Sequence, residues 1–84
     1  YSMQVKEIET QINKIEKIIE IDENSITLRE KILKVSDSQL KNGVITTADY
    51  LVELTQLYDA KTNQKVHQTQ LELAKVNYQI IKGL

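Results

Sequence analysis

The sequence predicts an all-α fold, a long antiparallel two-helix coiled-coil hairpin. The 84-residue chain contains no proline and only two glycines, the central Gly43 and the penultimate Gly83. Because glycine and proline are the residues that most often interrupt helices, this distribution predicts two helices and one turn. We expect helices over 2–42 and 47–82, joined by a turn at 43–46, within a single unit covering 1–84.

The composition excludes several classes of function. The formal net charge is -1 and 27% of the residues are charged, with both signs, which argues against nucleic acid as a partner. There is no cysteine and only one histidine, so neither a disulfide framework nor a metal site is expected. A two-helix hairpin also offers no enclosed cleft or glycine-rich phosphate loop. We therefore expect no enzymatic activity and no cofactor.

Apolar residues recur in alternating steps of three and four in both halves, which predicts a coiled-coil seam between the helices. If the seams face each other, opposed residue numbers add up to about 90, which places Asp22 beside His67 as a polar pair. Such a pair fixes the register at a cost in stability, so replacing His67 with Leu is expected to raise the melting temperature. The other seam residues are Ile8, Ile12, Ile15, Ile19, Leu33, Leu57, Ala60, Leu71, Ala74, Tyr78 and Ile81.

The polar run at 22–25 allows a break between two shorter helices, with Asn24 or Ser25 as a cap. The absence of glycine and proline there favours a continuous helix instead.

Each helix carries a second apolar stripe, well apart from its seam on the helical wheel. A helix with two apolar faces packs against two neighbours, so we expect the isolated chain to self-associate, most simply as a four-helix dimer. The stripes consist of Ile18, Ile21, Leu28, Ile32 and Val35 in the first helix, and Val66, Leu73, Val76 and Ile80 in the second.

The turn has clear signals for the end of one helix and the start of the next. Asn42 and Gly43 can adopt the left-handed conformation that closes a helix C-terminus. Thr46 followed three residues later by Asp49 is the pattern of a capping box, with the carboxylate near the positive end of the helix. So short a connection predicts that the helices run antiparallel.

The second half of the chain carries an ordered set of residues from the turn to the last glycine. The set is Asn42-Gly43-Val44-Ile45-Thr46-Thr47-Ala48-Asp49-Tyr50-Leu51, then Leu57-Tyr58-Asp59-Ala60-Lys61, then Asn77-Tyr78 and Gly83. In this order and spacing it resembles the TolC-type outer membrane efflux proteins, the outer membrane factor family. The likeness runs without gaps from Leu40 to Gly83, whereas residues 1–39 match only as a long helix of suitable phase.

The resemblance implies that the chain is one hairpin excised from a larger protein. In that family, three protomers form an outer-membrane channel that continues as an α-helical tunnel across the periplasm of Gram-negative bacteria. Each protomer contributes two hairpins, and their tips face the inner membrane. The implied partners are two further copies of the full-length protein, a periplasmic adaptor protein and an inner-membrane pump.

Two sites follow from the resemblance. The tip residues Gly43, Val44, Ile45 and Thr46 match the surface that contacts the adaptor. Asp49 matches an aspartate that lines the periplasmic entrance, or gate, in some members. Those members carry a second aspartate three residues later, where this chain has Val52, so a plain helix-capping role for Asp49 stays open.

Two other functions remain as alternatives. The first is the coiled-coil hairpin of a periplasmic adaptor (membrane fusion) protein, which is also long and antiparallel. Adaptor tips typically carry an Arg-Leu-Ser-like motif, and residues 42–47 contain none. The second alternative is a cytosolic coiled-coil scaffold.

Overall fold

A computed structural model describes residues 2–83 and contains two α-helices, α1 (Ser2–Lys41) and α2 (Thr47–Gly83). The molecule is a rod of 62 × 14 × 12 Å. Since α1 has 40 residues, a rise of 1.5 Å per residue makes it about 60 Å long. The rod is therefore one helix long and two helices wide, which confirms the predicted all-α hairpin.

α1 is continuous through the polar run at 22–25. No residue in that run removes a backbone donor or requires a left-handed conformation, so the helical hydrogen bonds continue. Compared with the expected bounds, α1 ends one residue earlier, at Lys41, and α2 ends one residue later, at Gly83.

The C-terminus of α1 is closed by a Schellman motif. Gly43 has a φ of 72°, the left-handed conformation that glycine adopts without a steric penalty. The Val44 amide donates to the Gln39 carbonyl at 2.8 Å, and the Gly43 amide donates to the Leu40 carbonyl at 3.1 Å. These two bonds satisfy carbonyls that the end of the helix would otherwise leave unpaired.

The N-terminus of α2 is closed by a reciprocal capping box. The Asp49 amide donates to the Thr46 hydroxyl at 3.2 Å, and the Thr46 amide donates to the Asp49 carboxylate at 3.1 Å. Thr46 also accepts the first helical hydrogen bond, from the Tyr50 amide to its carbonyl at 3.1 Å. Residues 42–46, together with Asp49, therefore terminate one helix and start the next.

The seam between the helices is the only core that a two-layer rod can form. Burial along both helices repeats in steps of three and four, and the seam positions are buried or half-buried. Few side chains are fully enclosed, because no third layer covers the seam. The most buried residues are Ile26, Leu57, Ala74 and Ser36.

Candidate functional site

A polar layer lies in the middle of the seam. His67 Nδ1 is 2.6 Å from Asp22 Oδ2, and the two side chains are 29% and 16% exposed. The structure thus brings together the two residues that the sequence placed opposite each other. Their contact pairs both groups inside a mainly apolar seam, which specifies how α2 is aligned along α1.

Three further side-chain hydrogen bonds cross the hairpin, all from polar residues beside or within the seam. Tyr78 donates to Glu9 at 3.0 Å and Gln64 donates to Glu23 at 2.7 Å. Arg29 donates to Gln56. In the seam register, the residue numbers of opposed residues add up to about 90. In each of these bonds the α1 residue lies three to five positions closer to the N-terminus than the residue directly opposite its α2 partner. These long side chains therefore connect neighbouring layers of the seam.

One edge of the hairpin is ionic. Acidic residues recur at heptad spacing along α1 from Glu9, and lysines occupy three of the four corresponding positions of α2, with Gln68 at the fourth. The two rows flank the seam on the same side. Sequence reasoning missed these rows, although residues seven apart with one charge sign are a readable signal. The acidic row is Glu9, Glu16, Glu23, Glu30 and Asp37, and the basic row is Lys61, Lys75 and Lys82.

The ionic edge is organised around Tyr78 near the open end of the hairpin. The Tyr78 hydroxyl donates to Glu9 Oε1, while Lys82 Nζ lies 5.4 Å from the centroid of the Tyr78 ring. This distance is within the range of a cation–π interaction. One seam residue thus links the acidic row of α1 to the basic row of α2.

The opposite edge is largely uncharged on α2, where Gln56, Asn63, Gln70 and Asn77 follow one another at heptad spacing. A shallow open groove between the helices lies along this edge, lined by Asp22, Ser25, Arg29, Gln56, Asp59 and Asn63.

At the tip, the predicted contact residues form a small exposed surface on a firmly capped turn. Val44 is 67% exposed, Ile45 is half-buried, and Gly43 and Thr46 are exposed. No atom lies within 4 Å of the position that a Gly43 Cβ would take, so the turn is open to a partner.

Asp49 lies next to this surface, and its carboxylate is exposed while it caps α2. Val52, one turn further along, is 54% exposed. The position three residues after Asp49 therefore presents no carboxylate, and the next acidic side chain is the half-buried Glu53, four residues after Asp49.

The second apolar stripe of each helix, called the outer stripe from here on, is exposed on both helices. On α1, Ile21, Leu28 and Val35 are 65%, 59% and 58% exposed. On α2, the exposed residues of the stripe are Val66, Leu73, Val76 and Ile80, at 49%, 60%, 52% and 58%. Polar residues interrupt both rows, Ser25 on α1 and Thr69 on α2, so each row consists of separate exposed apolar side chains along the rod.

Within residues 2–83, no group of acidic and histidine side chains has the arrangement needed to hold a metal ion. Over the same residues, neither helix has a stretch apolar enough to cross a membrane.

Comparison with known protein families, with curated proteins and with solved structures finds no match to this chain.

Proposed function

We propose that this chain is a segment of the periplasmic α-helical tunnel of a TolC-like outer membrane channel for efflux or type I secretion, and that its tip contacts a periplasmic adaptor. The observation that carries the proposal is the exposed apolar stripe on each helix, facing away from the seam. A hairpin that stands alone needs one apolar face per helix, whereas a hairpin within a wall of helices needs two.

The two stripes are suited to packing side by side. With the tips of two neighbouring hairpins at nearly the same level, Ile21 of α1 lies opposite Leu73 of the neighbour's α2. In the same alignment, Ile18 lies opposite Val76 and Leu28 opposite Val66. Each hairpin would then contact one neighbour through α1 and another through α2, which is the repeated contact of a closed wall.

The tip supports the second part of the proposal. Val44 is 67% exposed, on a turn whose backbone is fixed by capping bonds on both sides. A turn needs Gly43 and Thr46 for its geometry, but its geometry gives no reason for two adjacent β-branched apolar residues. An apolar contact with the hairpin tip of an adaptor would give Val44 and Ile45 a function.

The mechanism of such a segment is passive. The helices form the wall of a conduit, the pump in the inner membrane supplies the energy, and the tip marks the periplasmic entrance. Three full-length protomers would bring copies of Asp49 around one axis, where a ring of carboxylates favours cations. Val52 stands where the second aspartate would be, so Asp49 is the exposed carboxylate that each hairpin of this kind would contribute to the ring.

The alternative of an adaptor hairpin predicts a different partner for the same tip. An adaptor would bind a channel protein, and its tip would need an Arg-Leu-Ser-like motif, which 42–47 lack. The alternative of a cytosolic scaffold predicts no tip partner at all and leaves Val44 without a role.

The test is a binding assay in which residues of the tip are substituted. We would immobilise the coiled-coil hairpin of a periplasmic adaptor, and separately a TolC-type channel, and measure capture of the full-length parent of this chain. We expect capture by the adaptor and at least a tenfold loss of affinity with Val44→Asp, because a charge would be buried in an apolar contact.

Tyr58→Asp is the matched control. Tyr58 is 62% exposed, close to the value for Val44, but lies more than three helical turns from the tip and outside both stripes. This variant should bind the adaptor like the wild type. Capture by the channel instead of the adaptor would favour the adaptor alternative, and equal losses in the two variants would overturn the proposed tip contact.

A further inference from the structure

We propose that two copies of this chain associate through the outer stripe of α1, with the two α1 helices antiparallel about a twofold axis, to form a four-helix dimer. The occupant of the stripe is thus a second copy of the same helix. This inference depends on the structure of α1 and not on the proposed channel function.

The first argument is register. The residues Ile18, Ile21, Ser25, Leu28, Ile32 and Val35 follow one another in steps of three and four, as in a coiled-coil seam. Placed against itself in the antiparallel direction, this row pairs Ile18 with Val35, Ile21 with Ile32, and Ser25 with Leu28. Every apolar residue therefore meets another apolar residue or the small Ser25.

The second argument is charge. In the same register, Asp22 of one copy lies beside Arg29 of the other, and the twofold axis repeats this contact. On the other side of the interface, Lys31 lies beside Asn24 and Lys17 beside Ser38, so no like charges meet. Asp22 and Arg29 both line the open groove next to the stripe, while within one copy Asp22 contacts His67 and Arg29 donates to Gln56.

The third argument is area. Residues of this chain expose 6427 Å², whereas a compact monomer of 9.7 kDa would expose about 5,100 Å². The difference of about 1,300 Å² exceeds the roughly 800 Å² that each partner buries in a standard interface. The surplus surface of the rod, which is spread along both helices, is therefore larger than one side of a standard interface.

The fourth argument is the angle between the two faces of α1. At 100° per residue, the centre of the outer stripe lies about 110° around the helix from the centre of the seam. Helices at the corners of a four-helix arrangement contact their two neighbours at roughly 90°. A second copy docked on the stripe therefore brings the two α2 helices to the same side and completes four helices.

The side-by-side arrangement of α1 against a neighbour's α2 is the competing use of the same stripe. That arrangement places two apolar residues of α1 against polar residues of the neighbour's α2, because Val35 lies opposite Asp59 and Ile32 lies opposite Thr62. The antiparallel α1 pair has neither, so it is the arrangement we expect for the chain on its own.

The first test uses a pair of leucines with matched exposure. Leu28 and Leu73 are 59% and 60% exposed, and they lie in the outer stripes of α1 and α2. We expect sedimentation of the wild type to show a dimer at micromolar concentration. Leu28→Gln should raise the dimer Kd about 100-fold or more, because two leucines leave each twofold interface. Leu73→Gln should raise the Kd far less, by under about tenfold, because in the four-helix dimer Leu73 only flanks the contact between the two α2 helices and lies outside the α1 stripe.

Circular dichroism accompanies both variants, and unchanged helicity shows that the hairpin persists. A wild type that stays monomeric, or equal weakening by Leu28→Gln and Leu73→Gln, would overturn the proposal. Equal weakening would also identify the side-by-side contact.

The second test measures distances between copies, and it decides the matter even if Leu28→Gln fails to fold. The chain has no cysteine, so single spin labels can be attached at Asn24→Cys or Lys41→Cys, both exposed positions. In the antiparallel pair, the two labels at position 24 lie about 8 Å apart along the axis and those at position 41 about 44 Å apart. Two labels at position 41 within about 25 Å of each other would mean tips at the same level and would contradict the twofold pair.

Discussion

The tip and the mid-seam polar layer both use polar groups to specify the hairpin, but they act over very different distances along the chain. At the tip, Gly43 and the Thr46–Asp49 box close the helices with partners no more than five residues away. In the seam, His67 meets Asp22, and 45 residues separate the two.

The tip and the polar layer therefore specify different features of the hairpin. The local bonds at the tip decide where the chain reverses, whatever the helices do further along. The polar layer decides how far α2 is displaced along α1, because a shift by one heptad in either direction would separate the pair and place Asp22 opposite Ala60 or Ala74. The two regions should therefore respond differently to substitution.

The largest effect is expected for the polar layer. The structure changes the prediction made from sequence for His67→Leu, because Asp22 is only 16% exposed and would lose its partner. We expect a loss of about 2 kcal/mol of unfolding free energy, the cost of a half-buried polar group without a hydrogen bond. Chemical denaturation of a concentration series measures this loss.

The double variant Asp22→Leu with His67→Leu is the control. It replaces both partners by apolar groups, so we expect it to exceed the wild type by about 1 kcal/mol. A single variant that gains stability, or a double variant less stable than the single one, would show that the contact does not align the helices.

The next largest effect is expected at Gly43. Gly43→Ala places a Cβ at a φ of 72° and should cost about 1–2 kcal/mol, even though the space around it is empty. Gly83→Ala has equally empty surroundings but no left-handed φ, so it should be neutral or slightly stabilising. Thermal unfolding of the two variants compares them directly, and equal effects would refute the left-handed turn.

The smallest effect is expected at the cap. Thr46→Ala removes the hydroxyl that accepts from the Asp49 amide and should cost about 1 kcal/mol. Thr55→Ala is the matched control, because Thr55 bonds only the carbonyl one turn earlier, that of Leu51. We expect Thr55→Ala to gain up to about 0.5 kcal/mol from higher helix propensity. A loss at Thr55 as large as that at Thr46 would mean that the box adds nothing to the helix.

The sequence was sufficient for the parts of the fold that depend on short-range chemistry. Gly43, Thr46 and Asp49 have few conformations open to them in a turn, so their order and spacing predict the hydrogen bonds of the turn. The seam follows from periodicity, and the polar pair follows from the seam once the turn is placed. The predicted helix–turn–helix order is therefore a consequence of a few residues.

The contacts along the edges could not be predicted in the same way. Tyr78 reaches Glu9 and Gln64 reaches Glu23, each about one turn from the residue that the register suggested. Long side chains have many rotamers, and small shifts along the axis decide which partner they meet. The partner of each outer stripe depends on surfaces outside this chain, so it enters only as a proposal.

The central claim is that one reversal near Gly43 brings two helices side by side within a single chain. The most direct measurement is a spin-label distance between Glu7→Cys and Lys82→Cys in one chain, diluted with unlabelled protein so that only intrachain pairs contribute. The hairpin predicts a distance of about 10–25 Å, the width of two adjacent helices with their labels. A distance near 110 Å, the length of 75 residues in one uninterrupted helix, would contradict the account.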